Sequence, residues 1–210
     1  MVELVGQEKT PGEENVSRET ISKFRVFSEL LKKWNPVAGL VSPASLDQLW
    51  DRHILDSAQI LEVAPPGIRK WLDIGSGGGF PGLVVAIMAA ERRPEINVVL
   101  VDSNRRKCDF LSEACRQTGT EAQVLNIRAE QLDPQNADVV SARAVAPLPG
   151  LLSLASRHLA EGGLCVFPKG SGYRDELAAA RKSWSFTVEP VPSRTDGKGR
   201  ILLIRSIANG

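Results

Sequence analysis

The chain has 210 residues, of which 42% are apolar and 24% charged, a balance that excludes a disordered chain and suits one α/β domain with an added terminal segment. With 26 Lys and Arg against 25 Asp and Glu, the net charge of +1 excludes an overall basic field, so a nucleic-acid partner would have to be met by local patches. Cys108, Cys115 and Cys165 are scattered and never spaced as CxxC, which argues against a disulfide framework or a zinc site and points to a reducing, cytoplasmic compartment.

Residues 1–15 mix charges with Pro and Gly, lack an apolar signal-peptide core, and read as a flexible tail. Ile21, Phe24, Phe27, Leu31 and Trp34 then recur at helical spacing, and Asn35-Pro36 predicts the end of that helix because the residue before proline avoids the α region. A second stripe, Leu46, Leu49, Trp50, His53, Ser57 and Ile60, predicts a helix running to Pro65-Pro66-Gly67. The segment 16–66 is thus expected as a helical unit packed on a core formed by 67–210, the two making one structural domain.

Past residue 67 short strands alternate with helices. Trp71 to Ile74, Val98 to Val101, Val124 to Ile127, Val139 to Ala142 and Leu164 to Phe167 read as strands. Between them lie helices at Leu83 to Glu91, around Phe110 to Thr118, and at Leu148 to Ala160, the last closed by Gly162-Gly163. A charged helix from Tyr173 to Lys182 leads to two final strands, Ser185 to Val191 and Ile201 to Ile207, around a loop whose Asp196-Gly197 and Gly199 suit a hairpin. This order predicts an α/β fold with a mostly parallel seven-stranded sheet, helices on both faces and an antiparallel strand at the C-terminus. The longest apolar run, Leu83 to Ala90, is too short to span a bilayer, so no membrane partner is expected.

The stretch WLDIGSGGGFPG, residues 71–82, falls where a doubly wound sheet binds its ligand, beyond the carboxyl end of the first strand. Gly77-Gly78-Gly79-Phe80-Pro81-Gly82 satisfies G-x-G-x-x-G, which allows a dinucleotide. Asp73, two residues before Gly75, argues against it, since a carboxylate there repels a pyrophosphate and suits a cation. Asp73, Gly75, Gly77 and Gly79 instead resemble motif I of the S-adenosylmethionine methyltransferases with a Rossmann-like (class I) fold. In that class the acid ending the second strand, here Asp102, binds ribose hydroxyls, and residues after the third strand, here Ala129 and Glu130, edge the adenine.

Within that class the sequence resembles the RsmG (GidB) family, bacterial methyltransferases acting on guanine N7 in a loop of 16S ribosomal RNA. Trp34-Asn35, Arg52-His53-Ile54-Leu55-Asp56-Ser57, the glycine block with Pro81, Asp102-Ser103, Ser141-Ala142-Arg143-Ala144, Pro168-Lys169-Gly170 and the late Asp196-Gly197 with Arg200 carry the resemblance. It implies S-adenosylmethionine as cofactor, S-adenosylhomocysteine as product, and Gly75, Phe80, Ala129, Glu130 and Arg143 as cofactor-binding positions. The implied substrate is 16S rRNA or the small ribosomal subunit. A monomer without metal is expected.

Guanine N7 exposes a lone pair, so attack needs no general base and catalysis rests on positioning. Arg143 is expected to act in catalysis, its fork meeting either the cofactor carboxylate or guanine O6. Lys169 is the second catalytic candidate, meeting RNA phosphate or capping loop carbonyls. His53 and Asp56 share a helical face and read as a buried hydrogen-bonded pair docking their helix rather than as catalysts. Lys23, Arg25, Lys32 and Lys33, the run Arg105-Arg106-Lys107, and Arg194, Lys198 and Arg200 are the candidate RNA patches. A small-molecule methyltransferase and a non-catalytic ribosome-assembly module are the alternatives that the residues leave open.

Overall fold

The computed structural model describes residues 16–210, so the expected tail at 1–15 lies outside the described residues. Seven strands, β1 (Lys70–Ile74), β2 (Asn97–Asp102), β3 (Gln123–Asn126), β4 (Ala137–Ala142), β5 (Leu159–Lys169), β6 (Trp184–Pro192) and β7 (Arg200–Asn209), form one sheet. Their order is β3-β2-β1-β4-β5-β7-β6, with β7 antiparallel to both of its neighbours and the other pairs parallel. The sequence reversal between β1 and β4 makes the switch point at which α/β sheets bind ligands.

Alternate residues of each strand serve opposite faces. Trp71, Val98, Leu100, Val139 and Val166 join a core with helices α1 (Arg18–Ala38), α3 (Asp56–Glu62), α4 (Gly82–Arg92) and α5 (Arg105–Thr118). Leu72, Val99, Val101, Val140 and Phe167 join the other, under α6 (Leu148–His158) and α7 (Tyr173–Ala180).

Helix α1 is seated by rings: Phe27 lies 5.3 Å from Phe80 and 6.2 Å from Phe110, and Trp34 lies 6.1 Å from Phe110. Its start is fixed by Ser17, whose hydroxyl accepts from Thr20 N, while the hydroxyls of Ser17 and Thr20 both donate to Glu91 at the end of α4. The helix does not stop at Asn35: Pro36 lies inside its last turn, at the cost of the i→i−4 bond its nitrogen cannot make, and Gly39 closes the helix by donating to Asn35 O at 2.9 Å. The buried Asn35 carboxamide oxygen accepts from Leu40 N and Val41 N, each at 2.9 Å, and so turns the chain after the helix.

The second stripe is not one α-helix. A short α2 (Pro43–Leu46) is followed by a π-helical turn, Trp50–Leu55, that runs into α3. The i→i+5 turn inserts a residue relative to α spacing, and it carries Arg52 and His53. Helix α6 ends at His158, two residues earlier than the glycine pair suggested. Gly162 and Gly163 lie inside the longer β5, whose register with β4 slips between Ala137 and Val139. No described helix is long and apolar enough to cross a membrane.

Asn35→Ala leaves two backbone N–H groups without their acceptor, one of them buried. It is expected to destabilise the protein by about 2 kcal/mol or more in urea unfolding. A change below about 0.5 kcal/mol, the ordinary range for a surface substitution, would contradict the capping role.

Candidate functional site

At the end of β1 the chain turns sharply through Gly75 and Gly77, both with positive φ, 67° and 49°. Ser76 N donates to Val101 O at 3.0 Å and Gly77 N to the Asp102 carboxylate at 2.9 Å, which ties the loop to the end of β2. Asp102 accepts also from Asn104 N at 2.8 Å, and each carboxylate oxygen keeps a lone pair for a ligand. Gly75, Asp102, Lys107, Ala129, Glu130 and Val145 line a cavity of about 270 Å³. Ala129 is held there by His158, whose Nε2 lies 2.9 Å from Ala129 O.

Asp73 does not reach this cavity. Its side chain is fully buried on the α4 side of the sheet, where Oδ1 accepts from Ser141 Oγ at 2.6 Å and Oδ2 faces Gly82. Trp71 Nε1 donates to the same hydroxyl at 2.8 Å, completing a buried relay. Burial pushes the Asp73 carboxyl up to about 6, with the Ser141 hydrogen bond opposing the shift. The carboxylate braces the loop from beneath.

Gly79 and Phe80 pack toward α1. A Cβ on Gly79 would lie 3.0 Å from Phe27, so this glycine lets α1 approach. Phe80 is 5% exposed and supports the site from below. The Arg143 guanidinium carbon lies 4.9 Å over its ring, and the His53 ring stacks on it at 5.0 Å.

Arg143, at the exit of β4, lines a second cavity of about 910 Å³ together with Arg52, His53, Asp56, Lys169 and Arg200. His53 and Asp56 do not bond each other; each meets Arg143 instead. Arg143 Nη2 donates to His53 Nδ1 at 2.8 Å, and Nη1 lies 3.5 Å from Asp56 Oδ2. Since a guanidinium only donates, Nδ1 is the acceptor and the His53 proton sits on Nε2. Burial first, and the Arg143 charge second, hold the His53 pKa down at about 4, so the ring is neutral at neutral pH. Asp56 Oδ1 accepts from Thr195 Oγ1 at 2.8 Å and Ser193 Oγ at 3.1 Å, fastening the hairpin loop to α3.

Lys169 lies in the wall of the larger cavity, but its ammonium is engaged. It donates to Glu176 Oε2 at 2.7 Å and to Ala146 O at 3.4 Å, and Glu176 in turn accepts from Leu148 N at 2.9 Å. These bonds tie β5 to α6 and α7. Of the basic clusters, Lys107 reaches the smaller cavity and Arg200 the larger. Lys23, Lys32 and Arg105 are paired along their own helices with Glu19, Glu29 and Asp109. Sequence reasoning did not single out Val145, Ser193 or Thr195. It weighed Lys107 only as part of an RNA patch, and Arg52 only as part of the Arg-His-x-x-Asp-Ser block.

Residues 20–201 match the profile of the family described as rRNA small subunit methyltransferase G. A protein of that name, ribosomal RNA small subunit methyltransferase G, from Cereibacter sphaeroides is 49% identical over 203 residues, covering 97% of this chain and 98% of the relative. Its namesake from Ruegeria is 50% identical over 193 residues, covering 92% of this chain and 94% of the relative. Among solved structures, an S-adenosylmethionine-dependent methyltransferase from Aquifex aeolicus superposes with a TM-score of 0.57 at 15% identity, covering 83% of this chain and 97% of that one. At that identity the superposition speaks for the fold.

The raised Asp73 pKa fixes a pH dependence. The folded state favours the protonated carboxyl more than the unfolded state does, so its contribution is whole below about pH 4 and is lost as pH rises through about 6. Asp73→Asn cannot ionise. Its stability relative to the parent protein should therefore rise across that window by up to about 3 kcal/mol in urea unfolding. A pH-independent difference would contradict the burial argument.

Proposed function

The chain belongs to the rRNA small subunit methyltransferase G family, and from that premise we propose that its two cavities are the donor and acceptor halves of one methyl-transfer site. The protein is an S-adenosylmethionine-dependent methyltransferase of 16S rRNA, and the family's position of attack is guanine N7. The observation that carries the two-cavity reading is the shared wall: Ala144 and Val145, directly after Arg143, line both spaces.

The residues of the smaller cavity fit the donor. Asp102 and Glu130 are acceptors suited to ribose hydroxyls and an amino group, and they would repel the pyrophosphate of a dinucleotide. Gly75 presents bare backbone. S-adenosylmethionine supplies an electrophilic methyl group on a sulfonium.

Guanine N7 brings its own lone pair, so nothing in the acceptor cavity has to remove a proton. Positive charge passes from donor to purine rather than being created, and what the chain must supply is fixed geometry. Arg143 is held in a way that supplies it. His53, Asp56 and the Phe80 face keep its fork in one orientation, and the N–H groups they leave free suit guanine O6 or the donor carboxylate. Neutral His53 takes one Arg143 N–H without competing for an anion.

The near-neutral net charge favours recognition of folded RNA, as in a small ribosomal subunit, by a monomer in the cytoplasm. Incubation with labelled S-adenosylmethionine and small subunits lacking the modification should yield 7-methylguanosine in digested 16S rRNA. Label that enters small molecules and no RNA would contradict this function. Arg143→Lys keeps a charge but loses the planar fork, and is expected to lower methyl transfer about 100-fold in the same assay. Transfer within about twofold of the parent protein would remove Arg143 from the positioning role.

A further inference from the structure

The turn between β4 and α6 carries two unusual features next to one another. Ala144 has a φ of 56°, in the left-handed region that L side chains seldom occupy. Val145 follows it with 39% of its surface exposed, one of two large apolar side chains exposed among the described residues. Its isopropyl group is pressed onto Gly75: a Cβ built there would overlap Val145, so the space that a glycine leaves for close approach is filled by this side chain.

Ala144 and Val145 are also the residues that the two cavities have in common. The donor cavity ends against them at about 270 Å³, below the ~300–1,000 Å³ usual for small-molecule sites. On the other side lie Arg143 and the acceptor cavity. Val145, packed on Gly75, thus stands between the two spaces.

From these observations we propose that Val145 is a positioning residue that closes the donor loop in the free protein. Its withdrawal from Gly75 lets the donor bind and joins the donor and acceptor cavities. The inference rests on the donor and acceptor reading of the two cavities. The free protein then occupies mainly the closed arrangement, and the donor's apparent affinity is reduced by the fraction that is open. A smaller side chain at 145 closes the loop less well and a larger one closes it more firmly.

The test is calorimetric titration of the full chain with S-adenosylhomocysteine, without RNA, for the parent protein, Val145→Ala and Val145→Ile. The proposal expects dissociation constants that rise in the order Ala, Val, Ile, with Ala tighter than the parent by about threefold to tenfold. A flat series overturns it, and so does the reverse order, which is what a side chain serving only as a wall contact for the ligand would give. Val145→Ile removes no atoms, so half of the series stands even if the Ala variant is lost to misfolding. A parent protein that does not bind S-adenosylhomocysteine at all would overturn the donor reading itself; binding without the size order overturns the partition alone.

Discussion

The site is organised around a guanidinium that has been drawn into the protein. Arg143 leaves the end of β4 with 18% of its side chain exposed, and burial works against its charge, lowering its pKa from the usual arginine range. A cation in that position must be given acceptors. It takes them from three separate parts of the chain: His53 from the π-helical turn, Asp56 from α3, and the face of Phe80 from the glycine loop. The N-terminal helical unit is therefore more than a cover for α4 and α5. It supplies the partners without which the Arg143 fork has no fixed direction.

The same interaction reaches the C-terminal hairpin. Asp56 spends one oxygen on the hydroxyls of Ser193 and Thr195 and turns the other toward Arg143. Segments far apart in the chain thereby meet at one carboxylate and wall one cavity. On the donor side the constraint is different in kind. The parallel sheet brings Gly75 and Asp102 to adjacent strand ends, and the bonds from Ser76 N to Val101 O and from Gly77 N to the Asp102 carboxylate hold them there. One cavity thus comes from sheet topology, the other from the docking of terminal segments onto it.

That division explains what could be read in advance. The strands, the hairpin and the antiparallel final strand followed from short apolar runs and turn residues, because a sheet writes its pattern locally. Gly75, Asp102, Ala129 and Glu130 were legible because strand ends in this topology converge by rule. Asp73, Gly79 and Phe80 belong to the same block, but whether a residue there faces a cavity or the core depends on what packs beneath. Phe27 and Ser141, from distant positions, and Gly82, from the end of the block itself, decide which way these residues face. Lys169 was open between two partners until Glu176 came within 2.7 Å of it. The π-helical turn has no periodic signature short enough to see, and the end of α1 lies past Pro36 because Gly39 N on Asn35 O closes the helix there, with the Asn35 side chain holding the turn that follows.

The central claim is that His53 acts through Arg143. A double-mutant cycle on the rate of methyl transfer to small subunits tests it directly, with His53→Phe, which keeps a ring over Phe80 and removes the Nδ1 acceptor, and Arg143→Lys, which removes the fork. The account predicts strong coupling: His53→Phe slows the parent enzyme by about tenfold or more and has almost no further effect on the Arg143→Lys variant. Equal slowing in both backgrounds would show that His53 serves the site independently of Arg143 and would contradict the account.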